Sequence, residues 1–147
     1  MERGSIMSNL YIDCEFNEFG GELISMALVT GTGFEFYEVL ECPNPGPWVK
    51  DNVMPILGKE PISKELFQDK LFNFLMHFES INIIADWADD IRYFCESLIM
   101  GPGISPNHPP ISFVLDRTLS SGDSKVLHNA LYDARAIAEQ HIGRNYE

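Results

Sequence analysis

The 147-residue chain predicts an α/β fold, a mixed sheet of three antiparallel strands continued by parallel strands and flanked by helices. Three observations predict it. Residues 9–16 alternate apolar and polar positions, two further short strands follow across glycine-containing turns, and beyond residue 63 helical stretches alternate with short apolar strands. The length suits one domain spanning 1–147, with no internal repeat.

In the first strand Leu10, Ile12, Cys14 and Phe16 share one face, and Tyr11, Asp13 and Glu15 share the other. Gly20-Gly21 marks a turn, after which residues 23–30 and 34–40 form a hairpin across Gly31-Thr32-Gly33. Three prolines interrupt residues 42–48, and residues 48–57 read as one short helix before Gly58. Ser63 is the N-cap of a mostly buried helix reaching about Phe78. Residues 80–85 are a short apolar strand, 91–100 a helix, 101–110 a loop rich in proline and glycine, and 110–115 a further strand. The polar segment 118–125 is a mobile loop, and residues 130–142 are a closing helix ended by Gly143, leaving 144–147 as a tail.

Hydrophobic residues at 45% and charged residues at 22% describe a globular chain and exclude extensive disorder. The longest apolar stretch, Leu23 to Val29, falls far short of the ~20 residues that span a bilayer, so no membrane crossing is expected. The opening Met-Glu-Arg-Gly-Ser is not a secretory signal; residues 1–6 read as vector-derived or disordered, with a native start at Met7. Cys14, Cys42 and Cys95 have no CxxC spacing, which points away from a disulfide framework or thiolate zinc site and toward the reducing cytoplasm.

The net charge of −12, from 22 acids against 10 Lys and Arg, runs against nucleic-acid binding, because phosphate binders are usually basic. A cluster of carboxylates that holds divalent cations is nevertheless neutralised locally when loaded.

Three sequence elements carry such a cluster. Asp13 and Glu15 stand at i and i+2 on one strand, roughly 7 Å apart at Cα, and face the same way. Asp86, Asp89 and Asp90 lie where an apolar strand gives way to a helix, at the kind of sheet end where α/β sites form. His128 precedes and Asp133 opens the last helix, so both can face one site from different elements. Each has an ordinary alternative: a solvent-facing strand edge for the first pair, dipole-complementing acids at a helix start for the second set, and a surface histidine and helix acid for the third.

The element order is that of ribonuclease H-like folds. Asp-x-Glu on a first strand, Asp at a strand-to-helix junction and His-x4-Asp before a C-terminal helix resemble the DEDDh 3′→5′ exonucleases. Tyr11 to Val29, Trp48-Val49-x3-Val53, Asp90 to Cys95 and His128-x-Ala-Leu-x-Asp-Ala-Arg135 are similar to the small bacterial exoribonucleases of the RNase AS type. The resemblance implies two divalent cations, Mg²⁺ or Mn²⁺, with Asp13 bridging both, Glu15 and Asp133 completing one site, and Asp90 serving the other. Asp86 is the runner-up to Asp90, and Asp89 is third. It implies His128 as general base, single-stranded nucleic acid as substrate with RNA favoured over DNA, and a homodimer as an assembly state. Phe16, Trp48 and Trp87 are candidates for stacking on a base and Arg135 for meeting phosphate; core packing and a surface ion pair are their ordinary alternatives. The rival readings are a noncatalytic nucleic-acid-binding module of the same fold and an acidic interaction protein or nucleic-acid mimic.

Overall fold

A computed structural model describes residues 6–145. Of the expected leader 1–6 only Ile6 is described, its amide donating to Glu79 Oε2 at 3.2 Å, and residues 146–147 of the expected tail lie outside the described residues. The elements run β1 (Met7–Phe16), β2 (Leu23–Val29), β3 (Glu35–Val39), α1 (Pro47–Asn52), α2 (Lys64–Leu75), β4 (Ser80–Ala85), α3 (Ala88–Ser97), β5 (Ile111–Leu115) and α4 (Ala130–Asn145).

They build a five-stranded sheet of order β3-β2-β1-β4-β5. β1 pairs antiparallel with β2, and β2 with β3, while β4 runs parallel to β1 and β5 parallel to β4. The expected α/β architecture, a mixed sheet flanked by helices, is therefore present. Strand alternation divides the core. Leu10, Ile12 and Cys14 pack with Phe67, Leu71 and Leu75 of α2 and Phe94 of α3. Tyr11, Ala27 and Ile84 point the other way, onto Ala134, Ile137 and Ala138 of α4.

Local chemistry sets the ends of the elements. Ser63 Oγ accepts from the Leu66 amide at 3.2 Å, the expected cap of α2. Residues 48–57 are two pieces rather than one helix: α1 stops at Asn52, and a 3₁₀ turn, Met54–Ile56, follows around Pro55, which has no amide to extend an α-helical ladder. α3 begins at Ala88 and not at Ile91, which places Asp89 and Asp90 in its first turn.

The expected stop at Gly143 does not occur, and α4 runs to Asn145. Gly143 lacks the left-handed backbone of a C-terminal cap. Arg144 donates to the Thr118 hydroxyl at 2.7 Å and to its carbonyl at 2.8 Å, which holds the final turn against the β5–α4 connection. No helix among the described residues is long and apolar enough to cross a membrane.

Candidate metal centre

The site forms where β1 and β4 part. Their ladder ends at the pair Tyr11↔Ile84; two residues further on, Asp13 lies in β1 and Asp86 in the bend just past β4. Tyr11 faces α4, so the period-2 alternation of β1 sends Asp13 toward that side. Past the end of the ladder, the Cys14 amide donates to Asp90 Oδ1 at 3.1 Å. A buried amide must find an acceptor, and this bond ties the first turn of α3 to β1. From the side of the sheet opposite α3, α4 brings Asp133, whose Oδ2 accepts from the His128 amide at 3.2 Å.

The result is two overlapping sets of carboxylates, Asp13 with Glu15 and Asp133, and Asp13 with Asp86 and Asp90. Within each set one oxygen from each carboxylate lies within 4.8 Å of the others. Asp13 belongs to both. Asp13, Asp90 and Asp133 are 9%, 2% and 4% exposed, so this is not a solvated acidic face. Among the described residues no donor meets Asp13 Oδ2 or Asp133 Oδ1, although both are buried. A buried acceptor without a partner costs about 1–3 kcal/mol, more when charged. Hard carboxylate oxygens are the ligands that Mg²⁺ and Mn²⁺ prefer, so the donor set and its unpartnered oxygens fit divalent cations.

The electrostatics agree. Burial pushes the Asp13 carboxyl well above the usual carboxylate range, and the charges of Asp90, Glu15, Asp133 and Asp86 push it further. Burial, then the neighbouring Asp133, raises Glu15 to about 9. Asp90 is driven up by burial and by Asp86, with the Cys14 amide opposing. Asp133 is raised by burial, opposed by the nearby Ser124 hydroxyl and then by the His128 amide, and Asp86 is raised by burial, opposed by its own backbone amide and then by the Arg117 charge. Without a cation this cluster holds protons it would otherwise release.

His128 occupies left-handed backbone, φ 71°, one of two non-glycine residues to do so among the described residues. That conformation is sparsely populated for residues with a side chain and is retained where the surroundings fix it. Here the amide is held by Asp133 and the ring meets Trp48 edge-on, with centroids 4.9 Å apart and planes at 81°.

The remaining candidates divide. Trp48 and Trp87 are 51% and 48% exposed, so neither is a core residue, and each adjoins the cluster, Trp48 through His128 and Trp87 through its neighbour Asp86. Phe16 follows a register shift in β1 and lies against Tyr93 at 4.9 Å between centroids, packed on the core opposite the acids. Arg135 gives both arms of its guanidinium to Glu35, at 2.6 and 2.7 Å, which is the ion pair named as its alternative. Asp89 is engaged by the Trp87 indole at 2.9 Å and by Arg92 at 3.4 Å, and it stands outside both sets.

Two residues went unmarked in the sequence. Asn129 is buried; its Oδ1 accepts from the Leu131 and Tyr132 amides at 3.0 and 3.3 Å, and its Nδ2 donates to the Ile56 carbonyl at 2.8 Å. It caps α4 and so orients Asp133. Asparagine immediately before an apolar helix was the available signal. Arg117, whose guanidinium lies over the Trp87 ring at 4.4 Å, carried no such signal.

No family model matches the chain, and no curated protein matches it. Fold and site alone define the class: an α/β protein whose mixed sheet carries, at the carboxyl ends of β1 and β4, a buried carboxylate cluster suited to divalent cations.

Proposed function

We propose that the protein is a metal-dependent 3′→5′ exonuclease of the DEDDh type with a ribonuclease H-like sheet, acting on single-stranded ends and releasing nucleoside 5′-monophosphates. The observation that carries this reading is the sharing of buried, partly unpartnered Asp13 between two carboxylate sets, with His128 beside one of them. Asp13, Asp90 and Asp133 are buried, so the cluster itself is not the displayed acidic surface that a nucleic-acid mimic needs.

In this reading Asp13, Glu15 and Asp133 hold one cation, and Asp13 with Asp90 and Asp86 holds the other. Two such cations supply electrostatic stabilisation of the attacking and leaving oxygens of an in-line displacement at phosphorus. His128 accepts the proton of the attacking water at a ring nitrogen, and Asp133 positions it through its backbone amide. Asn129 fixes the start of α4, and with it the direction of the Asp133 carboxylate. Asp90, anchored on the Cys14 amide, is the better-held third carboxylate; half-buried Asp86 stands beside it.

The test is a degradation ladder on matched 5′-labelled RNA and DNA strands with Mg²⁺, Mn²⁺ or a chelator. Stepwise shortening from the 3′ end that depends on metal is expected, with RNA cleaved faster. A ladder unaffected by the chelator, or no cleavage with either metal, would reject the proposal. In the same assay Asp90→Asn is expected to slow cleavage about 100-fold and Asp86→Asn about 10-fold, within the range for residues that support a metal. A larger loss with Asp86→Asn would transfer the third position to Asp86.

A further inference from the structure

Two exposed tryptophans adjoin the acidic cluster, and they are not equivalent. Trp48 meets the ring of His128, a residue whose backbone amide donates to Asp133, on the side where the attacking water must lose its proton. An in-line displacement puts the leaving oxygen on the far side of phosphorus from the attacking one. In the nuclease reading the far side falls to the carboxylate set without Asp133, Asp86 and Asp90 with Asp13, and Trp87 directly follows Asp86. When a terminal nucleotide is cut from a 3′ end, the leaving oxygen is the 3′ oxygen of the nucleotide before it. We propose that Trp87 and Arg117 form the subsite for this penultimate nucleotide, the base stacking on the indole and the guanidinium meeting the backbone phosphate. The proposal rests on the nuclease reading above.

The pair is built rather than accidental. The Trp87 indole N–H donates to Asp89 Oδ2 at 2.9 Å, which fixes the ring while leaving it 48% exposed. The Arg117 guanidinium carbon lies 4.4 Å from the centroid of that ring. The backbone around Arg117 is pinned on both sides. The Asp116 amide donates to the Ala85 carbonyl at 2.8 Å, and Asp116 Oδ1 accepts from the Thr118 amide at 2.9 Å and its hydroxyl at 2.6 Å. Thr118 is held in turn by Arg144.

Arg117 makes no ion pair within 4.0 Å among the described residues, whereas Arg92, Arg135 and Arg144 all do. In a chain of net charge −12, a cation that feels the Asp86 charge but stands outside ion-pair distance of any carboxylate among the described residues, over an exposed indole, is placed to attract a phosphate. Stacking on an indole accepts any base, so this subsite grips the strand without selecting sequence. It retains the strand after each cut, because it holds the part that is not released.

The test separates strand binding from chemistry. Binding of a 5′-fluorescein-labelled single-stranded oligonucleotide is measured by anisotropy with Ca²⁺ in place of the active metal. Turnover is measured on the same strand and on a nucleoside 5′-monophosphate 4-nitrophenyl ester, in which nitrophenolate replaces the penultimate nucleoside. Trp87→Ala and Arg117→Gln are each expected to weaken strand binding about tenfold or more. Their loss in kcat/KM on the strand should exceed that on the ester by a similar factor, and Trp87→Phe should restore most of the binding. Equal losses on strand and ester, or unchanged strand binding, would overturn the subsite. A wild-type protein inactive on both substrates would overturn the nuclease reading itself.

Discussion

Asp13→Asn is expected to reduce cleavage of a 5′-labelled single strand by about 10³-fold or more, and at the same time to raise the melting temperature of the metal-free protein. The first effect follows from position. Asp13 is the carboxylate common to both sets, so its loss weakens both proposed cation sites together. Metal stabilisation of a phosphoryl oxygen is worth several kcal/mol, and each ~1.4 kcal/mol is a factor of ten in rate. The second effect follows from burial. Asp13 is 9% exposed, has an oxygen without a donor, and faces four other acids. A neutral side chain of the same shape removes repulsion that only a cation or a proton relieves in the wild type. The two readouts must move in opposite directions. Loss of activity with an equal loss of stability would mark Asp13 as a structural residue, and wild-type cleavage would remove it from the centre. Asp133→Asn should repeat the loss of activity, with less gain in stability because its carboxylate also anchors the His128 amide.

Local signals are what the sequence displays well, and the site was legible to the extent that it is made of them. The alternation in residues 9–16 placed Asp13 and Glu15 on one face because a strand has a period of two, and the core confirms the division with Leu10, Ile12 and Cys14 on the other side. Asp90 ranks above Asp86 in the sequence only through the family resemblance, since their physical relation depends on where α3 starts and on the bond between Asp90 and the Cys14 amide, a contact 76 residues apart in sequence. Arg135 illustrates the same limit. Its partner Glu35 is 100 residues away, and nothing near either residue announces the pair. Gly143 shows a local signal overridden. A glycine after an apolar helical run is a stop only if the chain turns there, and the bonds of Arg144 to Thr118 carry the helix past it. The pairing of Arg117 with Trp87 likewise depends on β5 ending beside β4, which only the register of the parallel strands establishes.

Charge is the feature that sits least easily with the proposed strand binding, and it leads to the second large effect, on stability. In the metal-free protein the melting temperature is expected to fall as pH rises from about 5.5 to 8.5, and added Mn²⁺ or Mg²⁺ is expected to reverse that trend. The sign follows from proton counting. Glu15 binds its proton up to about 9 in the folded protein but only to its ordinary 4.5 when unfolded. Between those values the folded state holds more protons, so stability is greatest below the lower value and declines through the window. Asp13, Asp90, Asp133 and Asp86 are raised in the same direction and add to the slope. One retained proton corresponds to about 1.4 kcal/mol per pH unit at most. Cation binding needs the deprotonated carboxylates, so it strengthens as pH rises, where the metal-free protein is weakest. At a metal concentration about 100-fold above its dissociation constant the gain is roughly 2.7 kcal/mol, or about 5–10 °C for a domain of this size. Calorimetric melts in chelator and in metal, at pH values spanning the window, measure both slopes. A metal-free protein that becomes more stable as pH rises would mean that the acids are already neutralised by protein groups. A metal-induced shift that does not grow with pH would mean that the cation binds elsewhere.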